Sequence, residues 1–339
     1  MDSDALVVFA CSDRPIDRQV LRPSGHSFVS QPVRPLPRRP RDALRFLRGW
    51  VSSKMLARRL VADLEPAAIL GLGGFAAGPL ISTASVKIRC GLLNPDAVPG
   101  KANSYLAGRV QAIFTQFEST ELRFAPSLRG AVHCVGCPVR AELLHADRLR
   151  AISTFGLRPD RKTLLILGGS TGAASINEAV SALAEDLDTF ADTWQMLHIT
   201  GPAAKFDADR AYRNRRIVVR TMKYCDRMDL AYAAADLALC RGGASTVAEL
   251  AVTDTPAVIM PYPYHRDLHQ ARNAKAMVDA SAAICLKDKC SLSANVATLR
   301  GSLLELLSES PTLEQMTLAV GRLAKPDAAM KVASWLANE

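Results

Sequence analysis

The sequence predicts an α/β protein with two domains, each built around a parallel β-sheet. In the second half of the chain, short apolar runs alternate with helical segments, a pattern typical of βαβ units. Apolar residues make up 49% of the chain and aromatic residues only 6%, which suits parallel strands covered by helices on both faces. A length of 339 residues is sufficient for two hydrophobic cores.

The elements of the second half follow from this alternation. A helix is predicted from about Ala173 to Leu187, directly after a strand, and an alanine-rich helix is predicted over residues 229–235. The predicted strands are Thr163–Leu167, Trp194–Ile199, Arg216–Val219, Leu237–Cys240, Pro256–Pro261 and Ala282–Leu286.

The first half of the chain shows the same alternation of strands and helices, but less regularly. Its predicted strands are Ala5–Ala10, Ala67–Leu72, Lys87–Leu92, Val110–Thr115 and Ala131–Val135. Pro138 and a charged helix near residues 141–150 indicate a domain boundary. We therefore expect an amino-terminal domain over residues 1–138, a second domain over 139–322, and a carboxy-terminal helix within 323–339 that returns to the first domain.

The net charge of +9 is concentrated in one segment. Residues 34–59 contain nine basic residues and one acidic residue, so the rest of the chain is close to neutral. A nucleic-acid surface would spread basic residues over several elements. We therefore expect no nucleic-acid partner, and one local anionic partner is favoured.

The basic segment overlaps a predicted helix over residues 41–60. Within it, Leu44, Leu47, Val51 and Met55 recur at helical spacing and form an apolar stripe. Two interpretations stay open. Either the stripe covers the sheet while the basic face is solvated, or the helix binds an anionic membrane surface, where each basic residue contributes about 1 kcal/mol.

Other patterns argue against several protein classes. The eight cysteines lie mostly in apolar runs and include one CxxC pair, Cys134 and Cys137, which favours reduced thiols over disulfides or a zinc site. Asp2 and Asp4 precede the first apolar run, so no signal peptide is expected. Residues 67–86 carry no charge, but their four glycines and one proline favour a strand, a turn and a helix start over a membrane-spanning helix.

Two glycine-rich turns carry the strongest chemical signal. Residues 168–173 read Gly-Gly-Ser-Thr-Gly-Ala and residues 241–249 read Arg-Gly-Gly-Ala-Ser-Thr-Val-Ala-Glu, each following a strand and opening a helix. The amides and dipole of a helix start attract an anion, so two such turns suit a diphosphate. Glu249 is placed to accept both hydroxyls of a ribose, as the acid of dinucleotide-binding folds does. The alternative is that it only stabilises its helix, by less than about 1 kcal/mol.

Around these turns the sequence resembles the MurG family of glycosyltransferases. The matching segments are, in chain order, residues 71–79, 136–140, 168–177, 227–250, 261–264 and 269–274, the last of which reads HQARNA where the family has HQxxNA. The resemblance covers essentially the whole chain and is strongest from residue 164 to residue 285.

The resemblance implies two Rossmann-like domains of the GT-B type with an interdomain cleft. It implies an inverting transfer of N-acetylglucosamine from UDP-N-acetylglucosamine to lipid I, the undecaprenyl-diphospho-N-acetylmuramoyl-pentapeptide, which forms lipid II in peptidoglycan synthesis and thereby serves cell shape and division. It also implies a peripheral position on the cytoplasmic face of the inner membrane and no cofactor. Neither DxD triplet, at residues 186–188 and 207–209, follows a strand, so no metal site is expected.

Carried over position by position, the resemblance implies a donor site in the second domain. The glycine turns and helix starts would hold the diphosphate and the nearby sugar, with contacts from Gly169, Ser170, Gly172, Ala244, Ser245 and Thr246.

The remaining implied donor contacts concern the nucleoside and the sugar. Arg140 would contact phosphate or uracil oxygens, and the backbone at Cys225 would read the uracil edge. Glu249 would bind the ribose. Gln270 and Asn273 would read hydroxyls of N-acetylglucosamine, since a carboxamide both donates and accepts hydrogen bonds.

Two departures from the family pattern concern the acceptor side, where the implied residues are Gly74, Asp96 and Asn103. The family begins with a strand, a GGTGGH-like loop and a helix before the equivalent of Ala5–Ala10, and this sequence starts after them, so the usual candidate for the general base is absent. Residues 93–96 read Leu-Asn-Pro-Asp where the family has HEQN, which makes Asp96 the candidate base.

The absent first strand would be central in a doubly wound sheet, so its loss would leave backbone groups unpaired. A misassigned start and a real loss both stay open. We expect the chain as given to bind the donor but to transfer sugar poorly, and a form extended upstream to be active. Two alternatives to the lipid I transferase are a related glycolipid glycosyltransferase and a catalytically impaired nucleotide-sugar-binding paralogue.

Overall fold

The computed structural model of the chain describes residues 5–37, 39–169, 172–202, 206–264, 267–308 and 311–338. The chain divides into two compact units. Met1–Val135 and Ala329–Glu339 form the first unit, and Gly136–Ala328 forms the second. The described strand pairings of both units are parallel, which confirms the predicted α/β class.

The strands of the first unit form two separate sheets. They are β1 (Val8–Ser12), β2 (Ser27–Gln31), β3 (Ala68–Gly71), β4 (Arg89–Asn94), β5 (Ala112–Thr115) and β6 (Val132–Cys134). Among the described residues, β1 pairs with β2, and the other four pair in the order β3-β4-β5-β6. The sequence pattern missed β2.

The helices of the first unit pack around these sheets. They are α1 (Pro15–Leu21), α2 (Ala43–Leu64), α3 (Gly78–Thr83) and α4 (Lys101–Leu106). The uncharged stretch 67–86 contains β3, a turn and α3, as predicted. In the described ranges, no helix combines the length and the apolar character needed to cross a bilayer.

The buried face of α2 differs from the face that one interpretation of the sequence assigned to the sheet. Leu44, Leu47, Val51 and Met55 are each more than half exposed, and the buried residues of α2 are Gly49, Ser53 and Ala57. A Cβ atom at Gly49 would lie 2.5 Å from the carbonyl oxygen of Pro32. At Gly49 the backbone therefore packs too closely for a larger side chain, and the interpretation that the stripe covers the sheet is wrong.

The second unit contains one parallel sheet among its described residues. Its strands are β7 (Lys162–Leu167), β8 (Trp194–Ile199), β9 (Val219–Met222), β10 (Leu237–Cys240), β11 (Ala257–Ile259) and β12 (Ala283–Cys285), in the spatial order β12-β11-β10-β7-β8-β9. Buried side chains of β7, β8 and β10 form a core with the helices on one face, including Leu164, Met196 and Leu239.

Helices follow the strands of the second unit in turn. They are α5 (Arg148–Phe155), α6 (Ala174–Ala182), α7 (Ala184–Leu187), α8 (Ala208–Ala211), α9 (Met228–Ala234), α10 (Ala244–Val252), α11 (His269–Asp279), α12 (Leu292–Leu307) and α13 (Pro311–Val320). The predicted single helix over 173–187 is therefore two helices, α6 and α7.

Two other predicted elements are displaced, each for a local reason. The charged helix expected near 141–150 is a 3₁₀ turn over Ala141–His145 followed by α5, whose start is capped by the Asp147 carboxylate. β9 begins three residues later than predicted. The backbone amides of Arg216 and Ile217 donate to Oδ1 of Asp188, so these residues belong to a loop.

The last helix, α14 (Ala328–Ala337), belongs largely to the first unit. The Trp335 ring meets the Phe114 ring edge to face at 5.4 Å between centroids. The Arg89 guanidinium lies over the Trp335 ring and donates from Nη1 to the Trp335 carbonyl oxygen at 2.6 Å. The end of the chain is thus anchored on β4 and β5.

Candidate functional site

The two glycine-rich turns lie side by side in the second unit. β7 and β10 are neighbouring parallel strands, with Leu167 paired to Cys240 at their carboxyl ends. Gly168 follows the first strand and Arg241 follows the second, so both turns leave the same edge of the sheet. Parallel pairing therefore brings together two helix starts, α6 and α10, that are about 70 residues apart in the sequence.

Glycine is required in these turns by close backbone packing. A Cβ atom at Gly168 would collide with the backbone of Ala173, and one at Gly242 would collide with the Gln270 carbonyl group. Gly169 and Gly172 have φ values of +79° and +82°, which side chains rarely adopt. Close packing at Gly168 and Gly242 and the positive φ values of Gly169 and Gly172 therefore favour glycine at these four positions.

The helix starts at these turns offer donors for an anion. At the beginning of any α-helix the first amides have no acceptor within the helix and point along the axis. In α10 the first-turn residues include exposed Ser245 and half-buried Thr246. The helix dipoles of α6 and α10 add positive potential at the same edge. Ser170, an implied donor contact, lies outside the described residues.

A buried arginine ties the two turns to the rest of this edge. Arg241 donates from Nη1 to Oδ2 of Asp288 at 2.9 Å and to the carbonyl oxygen of Met260 at 2.8 Å, and from Nη2 to the hydroxyl of Ser175 at 2.8 Å. The side chain of Arg241 is 9% exposed and that of Asp288 is 1% exposed. The arginine thus links the second glycine turn to α6 and to the ends of β11 and β12.

Asp288 is the acceptor at the centre of this network. Burial raises its pKa, but hydrogen bonds from Ser175, Asn295, the Cys290 amide and Arg241 outweigh burial and lower the pKa of Asp288 to about 2. The carboxylate is therefore charged at neutral pH and paired with the buried guanidinium. Because neither partner faces open water, the pair holds one arrangement of the loops.

The implied ribose, uracil and phosphate residues meet beside α10. Glu249, half-buried in α10, accepts a hydrogen bond from the hydroxyl of Tyr232 at 3.0 Å. Arg140 donates to the carbonyl oxygen of Asp226 at 3.3 Å, next to Cys225. The charge of Arg140 acts on both Glu249 and Cys225. Residues from three parts of the chain therefore form one cluster in the second unit.

The two carboxamides near these turns are engaged in holding the loops. Gln270 accepts a hydrogen bond from the Tyr262 amide at 2.8 Å through Oε1. Asn273 is fully buried and donates from Nδ2 to the carbonyl oxygen of Gly242 at 3.1 Å. Both side chains lie at the predicted turn, and their contact with a sugar stays a proposal.

The acceptor-side residues form a separate cluster in the first unit. Gly73 and Gly74 have positive φ values, and the Asn103 amide group lies under Gly73. Asn103 is buried and donates from Nδ2 to Oδ1 of Asn94 at 2.9 Å, and Asn94 donates to the backbone carbonyl oxygen of Asp96 at 2.7 Å. The Asn103 side chain of α4 thus connects the turn at Gly73 and Gly74 with the segment from Asn94 to Asp96.

Comparison with known proteins places this arrangement in a family. The sequence profile of the glycosyltransferase family 28 C-terminal domain matches residues 163–332. The chain is 30% identical to the UDP-N-acetylglucosamine--N-acetylmuramyl-(pentapeptide) pyrophosphoryl-undecaprenol N-acetylglucosamine transferase of Halothermothrix orenii, over 94% of this chain and 87% of the relative. It is 33% identical to the transferase of the same name from Nocardioides sp., over 98% of this chain and 89% of the relative.

The chain belongs to the MurG family of glycosyltransferases. A crystal structure of Acinetobacter baumannii MurG has the same fold, with a TM-score of 0.73 at 23% identity over 97% of this chain and 90% of that one. A UDP-GlcNAc 2-epimerase from Neisseria meningitidis bound to UDP-GlcNAc shares the fold alone, with a TM-score of 0.67 at 14% identity over 97% of this chain and 90% of that one. The GT-B class expected from the resemblance is confirmed.

Sequence reasoning missed two residues of the candidate site. Tyr232 lies inside a matched motif, but the motif does not show that its hydroxyl meets Glu249. Asp288 lies outside the matched motifs, and its only signal was a lone acidic residue after a predicted strand. Both roles depend on contacts between segments that are far apart in the sequence.

The acidic triplets of this chain have structural roles. Asp188 binds backbone amides of a neighbouring loop, and Asp186 forms an ion pair with Arg300 at 3.0 Å. Asp207 caps the start of α8. Within the described ranges, no group of three or more His, Cys, Asp or Glu side chains has the arrangement of a metal site.

Proposed function

We propose that this chain transfers N-acetylglucosamine from UDP-N-acetylglucosamine to a lipid-linked N-acetylmuramoyl-pentapeptide diphosphate. The observation that carries the proposal is the meeting of the α6 and α10 starts at one sheet edge, beside Glu249 and Arg140. Two helix starts match a diphosphate, a carboxylate matches the ribose diol, and a guanidinium matches phosphate or uracil oxygens. The MurG-family relatives carry the name of this transferase.

The proposed reaction is an inverting displacement. A hydroxyl of the acceptor sugar attacks the anomeric carbon of N-acetylglucosamine, the bond to the diphosphate breaks, and UDP departs. Negative charge grows on the departing diphosphate, and the amides and dipoles at the two turns stabilise it. Because these donors are held in place before the reaction, they need no reorganisation when the charge develops.

The individual contacts are proposed by position. Arg140 binds phosphate or uracil, the backbone at Cys225 reads uracil, and Glu249 binds the ribose, while Gln270 and Asn273 contact the sugar. The diphosphate is held at Gly169, Ser170, Gly172, Ala244, Ser245 and Thr246. On the acceptor side, Gly74 and Asn103 shape the loop, and Asp96 is the candidate general base.

Donor binding and sugar transfer are tested separately. Calorimetry with UDP-N-acetylglucosamine should show binding that is unchanged by EDTA, since helix starts rather than a metal hold the diphosphate. Glu249→Ala should raise Kd about 10- to 100-fold, because a hydrogen bond to a charged group is lost. The matched control Glu305→Ala, which removes an exposed carboxylate in α12, should leave Kd unchanged.

Transfer is measured with a lipid-linked N-acetylmuramoyl-pentapeptide diphosphate and mass spectrometry of the product. The product should gain one N-acetylhexosamine with inverted configuration, at the low rate expected for the chain as given. Asp96→Asn should slow transfer about 10²- to 10⁴-fold at unchanged donor affinity if Asp96 is the base. Loss of donor binding in EDTA, or transfer to diacylglycerol instead, would overturn the proposed function.

We also propose that α2 is the contact with an anionic membrane surface. Its exposed stripe of Leu44, Leu47, Val51 and Met55 lies opposite the buried face of the helix. Helical geometry places Lys54 on one side of the stripe and Arg45, Arg48 and Arg59 on the other, with Arg58 in line with the stripe. Such a face enters the headgroup boundary with its apolar side and pairs its charges with anionic lipids. We propose that the membrane face in contact is the cytoplasmic face of the inner membrane.

Vesicle sedimentation tests the membrane contact. The chain should bind vesicles that contain anionic phosphatidylglycerol and should not bind phosphatidylcholine vesicles, and added salt should weaken the binding. Leu47→Ser combined with Val51→Ser should reduce binding at least tenfold, since two of the four apolar side chains of the stripe are lost. Val86→Ser, which removes another highly exposed apolar side chain of the first unit, is the matched control. An equal loss of vesicle binding in the α2 variant and in Val86→Ser would contradict the proposal that α2 contacts the membrane.

A further inference from the structure

Tyr232 is a buried phenol beside the candidate ribose-binding carboxylate. It lies in α9 and is 1% exposed. Its hydroxyl donates to Oε2 of Glu249 in α10 at 3.0 Å, across 17 positions of sequence. Neither the ribose role of Glu249 nor the glycine turns require a tyrosine at this position, so the contact needs an explanation of its own.

The geometry leaves Glu249 able to bind two more hydroxyls. A carboxylate has about four acceptor positions. The Tyr232 hydroxyl uses one of them on Oε2, which leaves one position on Oε2 and both positions on Oε1. A ribose diol requires two acceptors with a fixed spacing, so a carboxylate that is already anchored at one oxygen is oriented for it.

The surroundings of Glu249 affect whether its carboxylate is charged. Burial raises the pKa of Glu249 above its usual value, and the Tyr232 hydrogen bond and the charge of Arg140 act against that rise. A ribose diol donates its hydrogens and therefore binds a charged carboxylate best. The same hydrogen bond thus favours both the orientation and the charged state that a diol needs.

We propose that Tyr232 is a positioning residue for ribose recognition, because its hydroxyl holds the Glu249 carboxylate in the orientation that accepts both ribose hydroxyls of a uridine nucleotide. Tyr232 is buried and acts through Glu249. The inference rests on the proposed role of Glu249 in the donor site. It predicts that discrimination between ribose and deoxyribose depends on a side chain that does not touch the sugar.

Discrimination is measured by calorimetry with UDP and with 2′-deoxy-UDP. Tyr232→Phe removes one oxygen and retains the buried ring. It should raise the Kd of UDP about five- to tenfold and that of 2′-deoxy-UDP less than about twofold, so that the ratio of the UDP Kd to the 2′-deoxy-UDP Kd rises. Tyr105→Phe is the control, since it removes the phenol hydroxyl of an exposed tyrosine of α4 in the first unit, outside the donor site. It should leave both constants unchanged.

A double-mutant cycle with Glu249→Gln separates positioning from general stability. If Tyr232 acts through Glu249, adding Tyr232→Phe to Glu249→Gln should weaken UDP binding no further. Equal weakening for both nucleotides, or additive effects in the cycle, would overturn the inference and leave the proposed function intact. If Glu249→Gln itself leaves the UDP to 2′-deoxy-UDP ratio unchanged, Glu249 does not bind the ribose, and the proposed site assignment fails together with the inference. Melting temperatures of all variants verify that they are folded.

Discussion

Asn177 and His198 form a buried polar pair beneath the first glycine turn. Asn177 donates from Nδ2 to the Thr200 carbonyl oxygen at 2.9 Å, and its Oδ1 lies 3.0 Å from Nε2 of His198. Because that oxygen only accepts, Nε2 of His198 carries the proton, and Nδ1 accepts from the Tyr212 hydroxyl. The neutral imidazole is therefore part of the support of the turn, since Thr200 also lies against Gly172.

This pair predicts an acid-dependent loss of stability. Burial lowers the pKa of His198 to about 4, whereas the unfolded chain should have a value near 6.5. Between about pH 4 and pH 6.5 the unfolded chain therefore binds a proton at His198 that the folded chain does not bind. The free energy of unfolding has its full value above about pH 6.5 and falls by up to about 3 kcal/mol as the pH drops toward 4.

Urea denaturation at pH 7, 6 and 5 measures this effect. His198→Gln cannot titrate in that range, so its stability should change less with pH than that of the unaltered chain. The same pH dependence in both proteins would show that His198 is not the responsible group.

The residues of the site differ in how far the sequence could predict them. Gly172, Gly242 and Glu249 were predicted because strand-turn-helix order and glycine content are local signals. Tyr232 and Asp288 were not, since their hydrogen bonds cross 17 and 47 positions of sequence. A tyrosine in an apolar helix, or an aspartate after a strand, does not by itself indicate which distant residue it will contact.

At the scale of elements, Arg241 and Asp288 link α6, the second glycine turn and the ends of β11 and β12. Asp288→Ala would leave a buried guanidinium without its counter-charge and should destabilise the chain by about 3–5 kcal/mol. Urea denaturation measures the change. The matched control is Asp279→Ala, which breaks an exposed pair with Lys275 in α11 and should cost less than about 1 kcal/mol. Equal costs would mean that the buried pair is no stronger than the exposed one.

Helix α2 shows what the helical period of apolar residues does not predict. The helical period of its apolar residues predicted the helix, and the structure contains it. The period did not identify the buried face. Gly49, Ser53 and Ala57 are buried, and at Gly49 the helix backbone lies against Pro32, an approach that a small residue permits. The four apolar residues of the stripe are exposed, and there we propose the membrane contact.

At the scale of the whole molecule, the implied donor residues and the implied acceptor residues belong to different units. The residues from Arg140 to Asn273 lie in the second unit, and Gly74, Asp96 and Asn103 lie in the first. The basic segment 34–59 is also in the first unit. Donor binding and acceptor binding are therefore separable in experiment, and variants of one unit serve as controls for the other.

The sequence by itself determined the α/β class, most strands of both units and the two glycine turns. These depend on local physics, namely the periodicity of apolar residues and the backbone freedom of glycine. The tertiary structure alone decided the strand order β12-β11-β10-β7-β8-β9, the buried face of α2 and the partners of Tyr232, His198 and Arg241. Those features arise when distant segments pack together, and their energies depend on burial and on partners that no local pattern of residues encodes.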